Sequence, residues 1–292
     1  MPATGHITPR TALLTGAAMV AFAANSLLCR LALAPELIDA ASFTSVRLIS
    51  GAITLAAILA LRHRTRTRPA ANWRSVATLY AYMAFFSFAY LSLSAGTGAL
   101  ILFGAVQLTM FVVALRSGEY FSLLSWGGLA IAVLGLVYLV SPGVTAPDPL
   151  GAVTMAVAGV SWGFYSLLGR GAKDPLAATA GNFIYAVPLT VILSLVFISH
   201  VHLTPTGFAL AIISGSVASA CGYVIWYAAL PGLTATRAAT VQLSVPIIAA
   251  FGGIALISEA LTLRLAVASI ATLGGVAIVL SQRSAPAPRS RR

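Results

Sequence analysis

Ten long runs of apolar residues constrain this sequence more than any other feature. They cover residues 11–34, 40–61, 73–95, 98–115, 121–140, 149–169, 176–198, 205–229, 234–257 and 262–281. A helix needs about 20 apolar residues to cross the hydrocarbon core of a bilayer, whereas a membrane β-strand needs only about 9–11. Because the runs are continuously apolar and too long for strands, the sequence predicts an all-α integral membrane protein with ten transmembrane helices.

The composition also argues against a soluble protein. Hydrophobic residues make up 59% of the 292 residues and charged residues only 8%, whereas soluble domains carry about 25% charged residues. The formal net charge of +11 would also suit a nucleic-acid-binding protein. The basic residues, however, lie between the apolar runs and not among aromatic residues on a polar domain. We therefore expect the lipid bilayer as a partner, and no nucleic acid.

The basic residues predict which side of the membrane each loop faces, because cytoplasmic loops carry an excess of Lys and Arg. With the N-terminus in the cytoplasm, only Arg30, Arg47 and Arg264 of the 17 basic residues fall outside cytoplasmic segments. Both termini, including the basic tail at 282–292, are therefore predicted to be cytoplasmic. Arg outnumbers Lys sixteen to one, which is typical of a GC-rich bacterium, so the predicted location is the bacterial inner membrane.

Short phrases from the first half of the sequence recur in the second half. "SLLCR" at 26–30 reappears as "SLLGR" at 166–170, and "VQLTM" at 106–110 reappears as "VQLSV" at 241–245. At the offset of 140 that separates the first pair, further identical residues align in the same order: Pro35 with Pro175, Phe43 with Phe183, Glu119 with Glu259, Gly135 with Gly275 and Ser141 with Ser281. Matches that keep their order along the chain indicate an internal duplication.

The duplicated units are predicted to span residues 11–141 and 151–281, with five helices in each. Five is an odd number, so the second unit must enter the membrane from the side opposite to the first. The predicted architecture is therefore two inverted five-helix repeats. Secondary transporters use inverted repeats to expose a site near the bilayer midplane to either side in turn.

The whole chain resembles the drug/metabolite transporter superfamily, specifically its EamA-type members with inverted repeats. The resemblance is carried by the ten spans in two copies, the short loops, the basic tail and a glutamate shortly before the last helix of each copy, Glu119 and Glu259. Within that superfamily, "NSLLCRLALAPELIDAASFTSVRLISG" at 25–51 and "VQLTMFVVALRSGE" at 106–119 resemble the bacterial aromatic amino acid exporters. The resemblance implies a secondary transporter that exports small metabolites, with aromatic and other neutral amino acids as the expected substrates. Carriers of purines, sugars or cationic drugs remain alternatives.

Arg47 is the one ionisable residue deep inside a predicted span, about 10 Å below the outer boundary at the rise of a helix. A charge at that depth needs a partner or water. Either its side chain reaches outward or pairs with Asp39 or Glu36, or its guanidinium group receives a substrate carboxylate. Arg30 and Arg264, at span ends, are expected to be anchors that extend to the membrane interface.

Two amides occupy equivalent positions in the predicted repeats. Gln107 and Gln242 lie near the middle of the fourth and ninth helices. An amide in hydrocarbon must hydrogen-bond either to a neighbouring helix or to a ligand, and both roles remain open. Pro188 and Pro246 are predicted to interrupt the seventh and ninth helices, because proline removes an intrahelical hydrogen bond.

Aromatic residues form stripes on three helices. A single stripe is usually packed or faces lipid, but three stripes at membrane depth predict a lined cavity that suits a flat apolar solute with a polar group. Trp73 and Trp126, near span ends, are expected to be interface anchors. The predicted substrate-binding residues are Tyr82, Phe86, Tyr90, Gln107, Trp162, Tyr165, Trp226, Gln242 and Arg47.

A membrane-embedded enzyme, a channel and an ATP-driven pump fit the sequence less well. An enzyme would need titratable groups that meet at one depth, yet the four histidines lie in loops or tails. The sequence has no P-loop motif for a nucleotide and no ring of charges that would indicate a pore. We expect a carrier that is not an enzyme, needs no cofactor or metal and functions as a monomer.

The sequence leaves the energy source of transport open. Glu119 and Glu259 precede predicted helices, where a carboxylate stabilises the amino end. Both are therefore predicted to cap the helix that follows them. Transport either runs downhill or is linked to protons, and the first version requires no titratable group within the spans.

Overall fold

The structure, a computed structural model, describes residues 8–62, 71–169, 172–233 and 235–282. These residues are almost entirely helical and contain no β-strand beyond one isolated bridge. The helices are α1 (Pro9–Leu33), α2 (Ala40–Arg62), α3 (Trp73–Ala89), α4 (Ala95–Arg116), α5 (Leu123–Val140), α6 (Pro149–Leu168), α7 (Pro175–Val196), α8 (Pro205–Ile213), a π-helical segment (Ser214–Cys221), α9 (Gly222–Ala229), α10 (Ala235–Gln242), α11 (Ser244–Ile257) and α12 (Leu263–Gln282).

Nine helical stretches within the described residues are long and apolar enough to cross a membrane. They correspond to every predicted run except 73–95. That run is helical only over Trp73–Ala89, and its 17 residues fall short of the about 20 that a span needs. The all-helical prediction is confirmed, whereas the tenth crossing stays a prediction.

Polar side chains mark where most of the helices begin. Each accepts a hydrogen bond from a backbone N–H in the first turn, as a helix cap does. Because hydrocarbon offers these amide groups no partner, the caps allow the helices to start close to the membrane. The capping residues are Thr8, Asn72, Ser94, Ser122, Asp148, Asp174 and Thr204.

The ninth predicted helix is divided in two. α10 ends at Gln242 and α11 begins at Ser244, two residues before Pro246. Proline has no N–H to donate, so it is tolerated in the first turn of a helix and disfavoured in the middle. The predicted interruption near Pro246 is therefore confirmed. The predicted interruption at Pro188 is wrong, because α7 continues through that residue from Pro175 to Val196.

The helices pack in a small number of pairs. α2 packs against α7, α4 against α11 and α5 against α12, while α1 contacts α9 and α3 contacts α6. α5 and α12 come together at Gly128 and Gly275, where a Cβ atom on either residue would collide with the backbone carbonyl oxygen of the other. Small residues of this kind let helix backbones approach closely, and van der Waals packing then stabilises the pair.

The π-helical segment Ser214–Cys221 interrupts a stretch for which the sequence predicts one continuous α-helix. A π-helix hydrogen-bonds from residue i to residue i+5, so residues five apart share a face. Ser214 and Ser219 therefore lie on one face, which is turned toward α1. Gly215 lies against α2, because a Cβ atom there would collide with the backbone carbonyl oxygen of Arg47.

Arg30 and Glu259 tie α1 to the start of α4. Nε of Arg30 donates to Oε1 of Glu259 over 3.2 Å, and Nη1 donates to the backbone carbonyls of Tyr90 and Leu91. Both carboxylate oxygens of Glu259 accept from the backbone N–H of Ala95, at 2.9 and 3.2 Å. Arg30 thus has a carboxylate partner that the sequence did not indicate, and its position at the membrane interface stays a prediction. Glu259 likewise caps α4, and not the helix that follows it in the chain.

Arg264 is also held by the protein. Its Nη1 donates to the backbone carbonyls of Leu139 and Ser141, and Nη2 donates to that of Pro142. These carbonyls lie at the end of α5, where a cation is stabilised by the helix dipole. Arg264 therefore caps α5, and its position at the membrane interface stays a prediction.

Candidate substrate site

An aromatic cluster lies in the core where α3, α6 and α9 meet. Its centre is Trp162 of α6, whose ring centroid lies 4.8 Å from that of Tyr82, 5.3 Å from that of Tyr223 and 5.5 Å from that of Tyr165. The planes are tilted by 32–48°, an arrangement near the offset stacking that aromatic pairs favour. The three predicted stripes, on the third, sixth and eighth helices of the sequence, therefore meet at Trp162 through Tyr82 and Tyr223.

Further rings extend the cluster in two directions. Phe86 lies 5.4 Å from Tyr82, and Tyr90 lies 4.8 Å from Phe86. On the other side, Phe22 of α1 contacts Tyr223 at 5.9 Å and Trp226 at 6.0 Å. The structure thus connects all six aromatic residues of the predicted set, with Phe22 as a member that the stripes did not indicate.

Arg47 lies beside this cluster with its side chain completely buried. Its Nε donates to the Ser219 hydroxyl over 3.2 Å, and Nη2 donates to the Tyr82 hydroxyl over 3.3 Å. The guanidinium carbon lies 4.8 Å from the ring centroid of Phe86 and 5.5 Å from that of Tyr82, distances at which a cation is attracted to the ring face.

The expectation that Arg47 reaches outward or pairs with a nearby carboxylate is wrong. Asp39 instead accepts from the backbone N–H groups of Ser42 and His202, at 2.8 and 3.0 Å. Glu36 is exposed on the loop before α2. Among the described residues, no carboxylate forms an ion pair with Arg47.

Asn25 of α1 completes the polar part of the site. Its Oδ1 accepts from the hydroxyls of Ser214, at 2.9 Å, and Ser219, at 3.2 Å. The π-helical segment makes this possible, since it places two serines five residues apart on one face. Asn25 and Ser219 thereby link α1, the π-helical segment and Arg47 of α2 into one buried hydrogen-bond network.

Two polar atoms of the site are buried without a hydrogen-bond partner among the described residues. They are Nη1 of Arg47 and the hydroxyl of Tyr223. A buried donor without a partner costs about 1–3 kcal/mol, and more for a charged group. Most buried polar groups have partners, so two orphans around one cluster indicate capacity to bind a ligand.

A small cavity adjoins the network. It is lined by Phe22, Asn25, Tyr82, Phe86, Leu102, Phe103, Trp162 and Tyr223. Its volume of about 20 Å³ is enough for about one water molecule. A solute as large as an amino acid enters only when helices around the cavity move apart, so the structure represents a closed state of the site.

The two predicted amides lie elsewhere. Gln107 lines a separate cleft between α4, α5 and α12, together with Phe111. Nε2 of Gln242 donates to the backbone carbonyl of Ala238 in its own helix, over 3.1 Å. Neither amide lines the cavity at Trp162, and in this state neither contacts the other predicted residues.

Trp73 and Trp126 differ from the tryptophan of the cluster. They lie near the starts of α3 and α5, with 75% and 44% of their surface exposed. Trp126 also contacts the ring of Phe111 at 5.5 Å. Exposure near helix ends is what the predicted interface position requires.

Comparisons with known proteins agree with this picture. Residues 149–281 match the EamA-like transporter family. An uncharacterized protein of Pseudomonas aeruginosa is 51% identical over 252 residues, which cover 86% of this chain and 88% of that protein. The uncharacterized transporter YwfM of Bacillus subtilis is 30% identical over 141 residues, or 47% of each chain.

A solved crystal structure has the same fold. It aligns with a TM-score of 0.66 over 94% of this chain and 99% of its own length, at 18% sequence identity.

The matches indicate a transporter rather than an enzyme, and the repeated apolar helices indicate a protein that passes through the membrane several times. The chain therefore belongs to the EamA-like transporter family.

Proposed function

We propose that this protein is a secondary transporter that exports aromatic and other neutral amino acids by alternating access around the cavity at Trp162. The observation that carries the proposal is the cluster of aromatic rings around a cavity that also holds a buried arginine network. A flat side chain can stack between Tyr82, Trp162 and Tyr223 once the cavity opens. The carboxylate of the same molecule can reach Arg47.

The electrostatics of the site favour amino acids over the alternative solutes. Cationic drugs would meet the uncompensated charge of Arg47, which repels them in a region of low dielectric constant. Purines can stack on the rings but offer no carboxylate, and sugars have no aromatic face. Each stacked ring contributes about 0.5–1.5 kcal/mol beyond its buried area, so binding is weak enough to permit release.

The proposed transport cycle uses two inverted repeats, residues 11–141 and 151–281, as ten membrane helices. The packing supports this arrangement, because a pseudo-two-fold axis would map the pairs α2–α7, α4–α11 and α5–α12 onto themselves. The same axis would exchange the pair α1–α9 with the pair α3–α6, and both pairs are in contact. The break before Pro246 and the π-helical segment then supply bending points in the second repeat.

The proposed orientation has both termini in the cytoplasm and the protein, as a monomer, in the bacterial inner membrane. The residues that carry much of the charge bias, 63–70 and the tail from 283 onward, lie outside the described residues. A cysteine at Thr65 should resist an impermeant thiol reagent in intact cells, whereas a cysteine at Ala146 should react. The opposite labelling would overturn the orientation.

Counterflow in proteoliposomes tests the proposed substrate. Purified full-length protein would be reconstituted without a pH or voltage gradient and loaded in turn with amino acids, purines, sugars and quaternary amines. Labelled L-phenylalanine should accumulate against loaded aromatic and neutral amino acids, and not against the other classes. Exchange against purines or amines alone would refute the amino acid assignment, and exchange that needs a proton gradient would refute uncoupled transport.

A further inference from the structure

The described core of the protein carries a positive charge that no buried carboxylate balances. Arg47 brings a full positive charge to the site, and its side chain is completely buried. All six acidic residues of the chain lie in loops or at helix starts. The described core therefore offers a cation to a ligand and no carboxylate for a ligand's ammonium group.

Both orphan groups of the site can donate a hydrogen bond to a ligand anion, although the Tyr223 hydroxyl can also accept one. Nη1 of Arg47 can only donate, since a guanidinium group has no acceptor. The Tyr223 hydroxyl lies within electrostatic range of the same guanidinium group and lines the cavity. Asn25, the amide at the cavity, already accepts two hydrogen bonds through Oδ1. The charged part of this free capacity is therefore a cation, which matches a carboxylate, and no carboxylate among the described residues lines the cavity to pair with an ammonium group.

From this asymmetry we infer that the site selects an aromatic ring with a carboxylate and does not require an amino group. The inference rests on the proposed transport function and widens it. Aromatic monocarboxylates without the α-ammonium group, such as 3-phenylpropanoate and aromatic 2-oxo acids, are substrates as good as the amino acids. Aromatic amines without the carboxylate are excluded, because their charge has the same sign as that of Arg47.

Three compounds with the same phenyl ring show whether the carboxylate or the ammonium group determines binding. Proteoliposomes with the full-length protein would exchange labelled L-phenylalanine in the presence of 3-phenylpropanoate, which lacks the ammonium group, or phenethylamine, which lacks the carboxylate. We expect 3-phenylpropanoate to inhibit at least as strongly as unlabelled L-phenylalanine, and phenethylamine to inhibit at least about tenfold more weakly. Equal inhibition by the two analogues, or no inhibition by 3-phenylpropanoate, would overturn the inference.

The same assay separates this inference from the proposed function. If labelled L-phenylalanine does not exchange at all, the amino acid assignment fails, and exchange of labelled 3-phenylpropanoate is measured directly. Exchange of 3-phenylpropanoate that phenethylamine does not inhibit then supports the carboxylate site. Its absence overturns the site as well.

Two variants assign the selectivity to named atoms. Arg47→Gln removes the charge, so the preference for 3-phenylpropanoate over phenethylamine should fall at least about tenfold. Tyr223→Phe removes only the orphan hydroxyl and keeps the ring, so the preference should fall about threefold to tenfold. Tyr185→Phe, on an exposed face of α7, should leave the preference unchanged.

A loss of selectivity must be separated from a loss of folded protein. The preference is a ratio of two inhibitions in one preparation, so it does not depend on how much protein inserts correctly. A wild-type ratio in both Arg47→Gln and Tyr223→Phe would overturn the inference. Should Arg47→Gln not be recovered from the membrane, Tyr223→Phe and the analogue series on the unmodified protein still decide the question.

Discussion

Arg30 and Arg47 both lie within the fold, but the protein surrounds their charges with different groups. Arg30, at the end of α1, has a carboxylate 3.2 Å away and two backbone carbonyls as further acceptors. Among the described residues, the partners of Arg47, in α2, are two neutral hydroxyls and the faces of two rings. The first charge is neutralised by the protein itself, and the second is not.

The difference indicates that the charge of Arg30 has a structural role, whereas the charge of Arg47 can bind an anionic ligand. Removing a charge from water costs several kcal/mol, which a nearby counter-ion partly offsets. Arg30 obtains that offset from Glu259 and in return joins α1 to α4. Arg47 obtains little, so its burial weakens the fold unless a ligand anion supplies the missing charge. We therefore expect changes at Arg47 to affect transport and changes at the Arg30 pair to affect stability.

The largest expected effect is at Arg47. Arg47→Met replaces an unpaired buried cation by an apolar side chain of similar length, and such replacements are often neutral or stabilising by about 1–4 kcal/mol. Transport of L-phenylalanine should fall about 100-fold, in line with the loss of a charge-assisted hydrogen bond to the substrate carboxylate. The unfolding temperature in detergent should not decrease. Both are measured on the same preparation, by counterflow and by thermal unfolding.

A matched control for this prediction is Arg116→Met, at the exposed end of α4. It removes the same charge without touching the network and should leave transport near the wild-type rate. If Arg47→Met instead lowers the unfolding temperature strongly, the comparison fails, and Arg47 stabilises the fold as Arg30 does.

The second expected effect is the converse. Glu259→Gln keeps the shape of the side chain but removes the charge that holds Arg30 and the start of α4. The free energy of unfolding should fall by about 2 kcal/mol, because a charge-assisted hydrogen bond and a helix-dipole interaction are both weakened. Transport per folded molecule should stay within about threefold of wild type, a change below 1 kcal/mol in barrier height. A complete loss of transport with unchanged stability would place Glu259 in the transport cycle.

The sequence predicted the helices better than it predicted the hydrogen-bond partners of the buried side chains. Long apolar runs and capping residues determine helices locally, and this is why α6 begins at Pro149 after Asp148, as expected. The partners of Arg47 lie 172 and 35 residues away in the chain, and the partner of Arg30 lies 229 residues away. No local pattern encodes contacts of that separation. The depth of Arg47 was therefore predictable, and the identity of Ser219 and Tyr82 as its partners was not.

Two further differences have local physical causes. Residues spaced by four made the stripe of Tyr82, Phe86 and Tyr90 recognisable, but α4 is apolar on all sides, so periodicity gave Gln107 no preferred face. The π-helical segment was missed because its residues, SGSVASAC, are small and carry no local pattern that distinguishes a π-helix from an α-helix. Its wide turn is visible only through the pairing of its serines with Asn25.

A third prediction extends the comparison to the rings. Trp162→Ala removes the residue that contacts Tyr82, Tyr165 and Tyr223, and stacking contributes about 0.5–1.5 kcal/mol for each pair. Transport of L-phenylalanine should fall about tenfold, with less effect on a small neutral amino acid. Trp73→Ala, at the exposed start of α3, should change transport little. If the two variants respond in the reverse order, the aromatic cluster serves packing, and the solute binds elsewhere.

The smallest expected effect tests whether the π-helical segment orients the guanidinium group of Arg47 or only packs against α1. Ser214 and Ser219 both donate to Asn25, but only Ser219 also accepts from Nε of Arg47. Ser219→Ala leaves that N–H without its acceptor, so the guanidinium group can rotate away from the orientation in which Nη1 is free. The variant loses this charge-assisted hydrogen bond and the neutral one to Asn25, but Arg47 itself stays in place, so transport should fall about threefold to tenfold. Ser214→Ala removes an equivalent bond to Asn25 and leaves Arg47 in place, so it should lower transport less than twofold if orientation of the charge is what matters.

Initial counterflow rates, normalised to folded protein, distinguish the two variants. Equal losses in both variants would mean that the serines hold α1 against the π-helical segment, and that the orientation of Arg47 does not depend on Ser219.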